Sequence, residues 1–268
     1  MKLNITKRLQ EIELNLLKEF LLICKKENLH YYLLGGTLLG AVRHKGFIPW
    51  DDDVDIGMPR KDYEKFISCA QKYLPEYCFL QTFRTDPQYP FPFAKIRDNR
   101  TIYKEFLLSK LQINHGVWID IFPLDFCSTN YKWLTFLQRI LFKRTSCKFV
   151  FKKNFIQRML QVLSCIICPS WKKSIEWHDK LLQAQESDAT MMANFCGRYG
   201  RKEMVPSSWF KEPVYLEFEG LKVAAPTEYH KYLTHIYGNY MQLPPEEKRV
   251  SLHPVAEIKF NLDKGENK

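Results

Sequence analysis

The chain lacks acid where it is most basic. Between Phe126 and Ile175 there is no Asp and no Glu, while the same stretch holds Lys132, Arg139, Lys143, Arg144, Lys148, Lys152, Lys153, Arg158, Lys172 and Lys173. These ten equal the whole excess of 40 Lys+Arg over 30 Asp+Glu, so the net charge of +10 belongs to one segment of the 268 residues and the rest is balanced. A basic balance spread over a whole domain points to nucleic acid. One confined to a segment does not, and no nucleic-acid partner is expected. A secretory signal is also missing. The first 20 residues carry Glu11, Glu13 and Glu19 within a helical pattern, with neither an uninterrupted apolar run nor a small-residue cleavage site. The strongest apolar run, Met159 to Cys168, is ten residues broken by Gln161 and Ser164, against the roughly 20 that a spanning helix needs. The expectation is a cytoplasmic protein. Repeats and low-complexity tracts are absent. The 46 % apolar composition excludes a disordered chain, and nothing resembles collagen or a coiled coil.

Cysteine is present without a framework. Of eight cysteines, Cys165 and Cys168 alone have ligand-like spacing, and no second pair completes a structural zinc site. Without a secretory signal, disulfides are not expected; the pair reads as small buried or membrane-facing residues.

Periodicity supplies the elements. Ile5, Leu9, Ile12, Leu16, Phe20 and Ile23 mark an amphipathic helix. His30–Leu34 reads as a strand ended by Gly35-Gly36, with a helix starting over Thr37–Arg43. Val54–Met58 reads as a strand stopped by Pro59, and Lys61–Leu74 as a helix. Cys78–Phe83, Phe93–Arg97 and Val117–Phe122 read as strands, the last ended by Pro123. Two or three helical stretches span 131–187. Val214–Phe218 and Leu221–Ala224 flank Glu219-Gly220 as a hairpin. Thr227–Tyr237 reads as a helix ended by Gly238, and the polar tail from Lys259 as frayed.

The chemistry concentrates in Trp50-Asp51-Asp52-Asp53-Val54-Asp55-Ile56-Gly57, four carboxylates in five positions. On a strand, Asp51, Asp53 and Asp55 project to one side, and like charges so placed repel unless a cation holds them. An all-oxygen set suits Mg²⁺ or Mn²⁺. The competing reading is a solvated turn rich in Asp. The EF-hand pattern is excluded by the missing distal Glu. A second carboxylate, Asp120 in Trp118-Ile119-Asp120-Ile121-Phe122, lies inside an apolar strand, where an unpaired charge is costly. It reads as the partner of Asp53 and Asp55, or else as an exposed edge-strand Asp. The turn Gly35-Gly36-Thr37 offers backbone amides to phosphate oxygens, yet neither a Walker A loop nor a Gly-x-Gly-x-x-Gly fingerprint is present. Arg43, His44 and Lys45, with Lys95 and Arg97 on one strand face, are candidate phosphate ligands or ordinary surface charge.

These motifs together resemble the LicD-type phosphotransferases. The resemblance rests on the run from Leu34 to Met58, on Ala94-Lys95-Ile96-Arg97, on Trp118 to Asp125 and on Tyr237-Gly238-Asn239-Tyr240-Met241-Gln242-Leu243-Pro244-Pro245. It covers about 1–125 and 195–255. It implies an α+β nucleotidyltransferase-like (polymerase-beta-type) mixed sheet flanked by helices. Residues 1–125 with 195–268 would form the catalytic domain and 126–194 a basic helical insertion. It further implies metal ligation and catalysis by Asp53, Asp55 and Asp120 with Asp51 behind them, donor binding by Gly35, Gly36, Thr37, Arg43, His44, Lys45, Lys95 and Arg97, and Mg²⁺ (or Mn²⁺) as cofactor. The implied reaction is transfer of a phospho-alcohol, often phosphocholine from CDP-choline, to a hydroxyl of a glycan or lipid-linked glycan of the cell surface, with release of CMP. Fukutin-like relatives use CDP-ribitol. Two metals would sit about 4 Å apart, and Asp120 would accept the hydroxyl proton or hold the metal that receives the alkoxide. Two alternatives stay open: nucleotidyl transfer with the same carboxylates, and a dead catalytic site on a lipid-binding module. Across 131–175, Lys and Arg interleave with large apolar residues, as in helices that lie on anionic membranes. A peripheral position on the inner face of the membrane is therefore expected, against the plainer reading of a helical subdomain with a solvated basic face.

Overall fold

The computed structural model describes residues 2–127, 132–145, 149, 155–168, 170–183, 190–250 and 253–260. Among them the chain is mixed α+β. In order the elements are α1 (Lys2–Glu27), β1 (Tyr32–Leu33), α2 (Gly35–His44), β2 (Asp55–Pro59), α3 (Arg60–Tyr73), β3 (Cys78–Gln81), β4 (Ala94–Asp98), β5 (Thr101–Glu105), β6 (Val117–Cys127), α4 (Lys132–Thr145), α5 (Phe155–Ile167) and α6 (Trp171–Gln183). There follow β7 (Met191–Ala193), β8 (Met204–Pro206), β9 (Val214–Phe218), β10 (Leu221–Ala225), α7 (Tyr229–Tyr237) and β11 (Val255–Phe260).

The main sheet runs β1-β2-β6-β4-β3, with β7 on the far end of β6 and β8 beside it. β2 and β6 are parallel and their neighbours antiparallel. The apolar stripe of α1 is buried as its spacing demands: Leu9, Ile12, Leu16, Phe20 and Ile23 join Ile56 and Met58 of β2 and Ile119 and Ile121 of β6 in one core. β6, buried on nearly every residue, reads as a continuous apolar strand because the sheet is covered on both faces.

Several sequence expectations are corrected. Pro123 does not end β6. β4 pairs with residues 117–121 and β7 with residues 125–127, so on that side Pro123 falls in the gap between two partners, where its missing N–H costs no ladder bond. The acidic run is not yet strand at Asp51–Val54; β2 begins at Asp55. β5, β7, β8 and β11 were not legible as strands. β11 closes onto β5 from the far end of the chain and takes in Lys259 and Phe260, which the polar composition assigns to a frayed tail. Of the basic stretch, residues 146–148 and 150–154, with Lys148, Lys152 and Lys153, lie outside the described residues, as do the side chains of Lys132 and Arg139. The seven described cysteines are free; Cys165 is exposed and Cys168 buried, so the pair does not share an environment.

Candidate active site

β2 and β6 bring the carboxylates together. In their parallel register Asp55 is the Cα partner of Asp120, and the ladder continues backwards through the Asp120 N–H, which donates to the Val54 carbonyl (2.8 Å). Asp51, Asp53, Asp55 and Asp120 all line one cavity of about 850 Å³. Asp52 points the other way. It is buried, accepts a hydrogen bond from the Tyr103 hydroxyl (2.9 Å), and faces Nδ1 of His253 at 3.2 Å. The alternation expected of a strand therefore holds through a segment that is not one.

Gly35 and Gly36 open α2 and line the same cavity. Gly35 sits at φ +49°, a left-handed conformation that favours glycine, and a Cβ there would lie 3.1 Å from Asp55 Oδ2. At Gly36 a Cβ would lie 2.6 Å from Asp51 Oδ2, so the acidic loop is packed directly on the bare backbone at the helix start. The first turn of α2 contains no acidic residue of its own, but the carboxylates of Asp51 and Asp55 pack against it at the positive end of the helix dipole, and the Gly35 N–H donates to the Tyr232 hydroxyl. Thr37 is not turned to the cavity; its hydroxyl accepts the Asp55 N–H (2.8 Å) and pins β2 to α2.

The basic candidates separate. Arg43 lines the cavity and donates to the Tyr240 carbonyl (3.0 Å). His44 meets the edge of Trp50 outside the cavity, and exposed Lys45 pairs with Glu217 at 3.6 Å. Lys95 Nζ lies 2.7 Å from Asp120 Oδ1 and over the Trp118 ring, so it neutralises a carboxylate rather than lining the cavity. Arg97 is fully buried: it donates to Gln81 Oε1 and to the Gly116 carbonyl (2.6 Å) and lies 3.7 Å from Glu105. Lys95 and Arg97 do share a face, both over Trp118, but that face belongs to the interior.

Burial and mutual repulsion dominate the electrostatics. Asp53 is pushed up to about 6 by burial, with Asp52 and Asp120 adding to the rise and His253 opposing it. Asp55 and Asp51 are also raised, by burial first and then by Asp53. Glu13, buried on α1, is raised by burial and by the same cluster, and its Oε2 has no hydrogen-bond partner. These carboxylates are packed more closely than their charges permit, and Lys95 compensates one of them. Asp120 Oδ1 pairs with Lys95 Nζ at 2.7 Å and its Oδ2 accepts the Trp118 indole N–H (3.1 Å). The donor set is all oxygen, which fits a hard divalent cation. Among the described residues, no three Asp, Glu, His or Cys side chains converge on one point as they stand.

The family model described as LicD/FKTN/FKRP, nucleotidyltransferase domain, matches residues 28–164. The lipopolysaccharide cholinephosphotransferase LicD of Haemophilus influenzae is 32 % identical over 91 % of this chain and 94 % of its own length. The chain belongs to the LicD family. More locally, the ribitol 5-phosphate transferase FKRP of Homo sapiens is 48 % identical over 15 % of this chain and 8 % of its own length, and an uncharacterized protein of Rickettsia typhi is 45 % identical over 23 % and 19 %.

The LicD-family cavity also has walls that motif reading missed. His253 precedes β11 and reaches the acidic loop only because β11 pairs with β5; its Nε2 is 3.9 Å from Asp53 Oδ2. Against the desolvation that would lower it, its bond to Asp52 and the charges of Asp53 and Asp52 hold it up to about 9. Glu203, raised by burial to about 7, accepts the Tyr199 N–H (3.2 Å). His178 of α6 is buried with Nε2 unpartnered, and burial lowers it to about 4, aided by Arg60. Trp50, Phe91, Phe93, Phe122, Phe142, Tyr199, Tyr237 and Tyr240 complete an aromatic lining. Phe142 comes from α4, inside the acid-free stretch, and His178 from α6, just past the end of that stretch. A lone aromatic or His on an amphipathic helix carries no local sign that it faces a cavity rather than a core.

Proposed function

We propose that this protein transfers phosphocholine from CDP-choline to a hydroxyl of a cell-surface glycan or its lipid-linked precursor and releases CMP. The observation that carries the reading is the placement of Asp53, Asp55 and Asp120 on one cavity wall beside the bare N-terminus of α2. The acceptor oxygen bonds to the phosphorus bearing choline, the bond from that phosphorus to the CMP oxygen breaks, and the hydroxyl proton passes to a carboxylate, Asp120. Asp53, Asp55 and Asp120 would hold Mg²⁺ or Mn²⁺, which when bound acidifies the acceptor hydroxyl and offsets the charge of the diphosphate.

The chain's own groups do the positioning. The Gly36 amide at the start of α2 and the Arg43 guanidinium receive the donor's phosphates and keep attacking and leaving oxygens in line. Lys95 holds Asp120 in place from behind. The aromatic wall favours choline over ribitol: a trimethylammonium gains from aromatic faces, whereas a polyol needs hydrogen-bonding partners there. The relative covering most of this chain bears a cholinephosphotransferase name, which supports the same choice. The mixed sheet with Gly-Gly turn and paired carboxylates is in keeping with a nucleotidyltransferase-like fold.

The test is CMP release from a panel of CDP-alcohols with and without Mg²⁺, followed by CDP-choline labelled in choline. Metal-dependent CMP release with label appearing on the acceptor is the expected result. Label remaining in solution while nucleotide joins the acceptor would establish nucleotidyl transfer instead, and no donor turnover under any condition would leave a binding module.

A further inference from the structure

The most unusual surface of the molecule is α5. Its amphipathicity is inside out. The side turned to the fold is small and polar, with Ser164 buried and its hydroxyl donating to the Gln161 carbonyl (2.7 Å). The solvent side carries Phe155, Ile156, Met159, Val162, Leu163 and Ile166, each between 49 and 75 % exposed. Free-standing apolar residues on a surface are ordinary; a contiguous face of them marks an interaction site. The helix is held firmly from behind: it packs on α4, and Arg144 of α4 donates from Nε to the Cys168 carbonyl just past its end (2.6 Å).

We propose that α5 lies in the headgroup layer of an anionic bilayer with this face inserted among the acyl chains. Three observations fix the occupant. Thirteen residues make a helix of about 20 Å, short of the roughly 30 Å hydrocarbon core, and no helix of the described residues is long and apolar enough to cross a membrane. The helix therefore lies in the interface plane. The segment around it contains ten cations and no acid, and Arg158, Lys172 and Lys173 are exposed on and beside α5. That charge matches anionic headgroups. A second copy of the chain, docked face to face, would instead set the cations of one copy against those of the other. The placement also has a consequence for the cavity, since α4, on which α5 packs, supplies Phe142 to its wall and α6, packed on α4 in turn, supplies His178. The helical segment that touches the bilayer is then the one that walls the cavity, which suits an acceptor carried on lipid. This surface is inferred independently of the donor chemistry, and its test uses neither donor nor acceptor.

The experiment is sedimentation with vesicles of phosphatidylcholine alone or mixed with phosphatidylglycerol, at low salt and at about 1 M NaCl, where the screening length is about 3 Å. A second readout is the emission of acrylodan on Cys165, the exposed thiol of α5, in a Cys147→Ser background. Binding to the mixed vesicles is expected at low salt, with a substantial bound fraction persisting at high salt and a blue shift of the probe. Val162→Asp with Ile166→Asp, checked for folding by circular dichroism, should weaken binding at least about tenfold. Lys172→Glu with Lys173→Glu should weaken it at low salt only. Absence of binding to anionic vesicles at low salt would overturn the proposal. So would binding that high salt abolishes and the two Asp substitutions leave unchanged, or a solution dimer that those substitutions dissociate.

Discussion

Asp55 and Asp120 are direct partners across two parallel strands, each on an apolar strand that burial alone would fill with Val or Ile. That register sets two carboxylates side by side, and Asp53, two residues before Asp55, adds a third on the same cavity wall. The arrangement costs stability. Burial and mutual repulsion raise Asp55 and Asp53 above the ordinary carboxylate range, so ionising them weakens the fold. Replacing Asp55 or Asp53 by Asn should therefore lower CMP release from CDP-choline by at least about 10³-fold. In EDTA the same change should raise stability by about 1–2 kcal/mol, a shift of roughly 2–6 °C in Tm. Calorimetry beside a turnover assay checks both. A variant that keeps its activity, or one that loses it by unfolding, would remove these residues from the catalytic assignment.

Lys95 gives a sharper test, because phosphate binding and carboxylate neutralisation predict different things. Its ammonium and Asp120 Oδ1 are 2.7 Å apart and both side chains are buried. Lys95→Met should cost about 3 kcal/mol by leaving a buried charge uncompensated. Adding Asp120→Asn should return most of that loss without returning activity. Urea denaturation of both single variants and the double variant closes the cycle; strict additivity would mean that the pair does not interact.

How much of this was readable before the fold was known depends on sequence distance. Gly35-Gly36, Asp53 and Asp55 lie within a short span, and Asp120 betrays itself as a charge inside an apolar strand. Local pattern sufficed for them, and for α1, α3, α7 and the β9–β10 hairpin. Lys95 and Arg97 were legible as two cations on one strand face, but not the direction of that face, since it depends on Trp118, Gln81 and Glu105 meeting them in the interior. His253 had no local signal at all; it meets Asp52 across 201 residues because β11 pairs with β5. Strands as short as β7 and β8 carry too few residues for any period to show.

Gly36 couples the helix start to the acidic loop. A Cβ there would meet the Asp51 carboxylate at 2.6 Å, well inside contact distance. Gly36→Ala should displace Asp51, destabilise the protein by about 1–3 kcal/mol and raise the KM for the donor. Shortening the obstacle with Asp51→Ala should restore stability to the Gly36→Ala protein. If stability returns and KM does not, Asp51 itself serves the site.

Glu203 sets a pH dependence whose sign follows from burial. Its carboxyl is held at about 7 in the fold, against an ordinary value of 4.5, by desolvation that its bonds to Tyr199 and Tyr232 only partly offset. Between those two values the folded chain binds a proton that the unfolded chain has released, so stability falls as pH rises through the window. The full effect approaches about 3 kcal/mol. The acidic loop adds a slope of the same sign, so the readout is a difference: Glu203→Gln should be more stable than the native protein at pH 8 and equal to it near pH 4. Denaturation series across that range decide it. Parallel curves would mean that Glu203 titrates normally.

Arg60 holds the helical segment to the sheet. Its Nε and one terminal nitrogen fork onto the two oxygens of Asp125 on β6, both at 2.7 Å, and the other terminal nitrogen reaches Asp179 of α6 at 2.9 Å. Arg84 adds a second contact to Asp179 at 3.1 Å. Asp125 and Asp179 are buried, so this cluster is worth little as raw stability against an apolar substitute, but losing its shared cation strands Asp125 and leaves Asp179 to Arg84 and Gln183. Arg60→Met should therefore cost about 3–5 kcal/mol, and the cost should fall unevenly. Amides of α6 and of the β6–β7 pairing should exchange faster, while β4, packed on α1, keeps its protection. Because α6 carries His178 and packs on α4, which carries Phe142, the donor KM should rise more than kcat falls. A uniform loss of protection would mean that Arg60 supports the whole fold rather than docking the helices that wall the cavity.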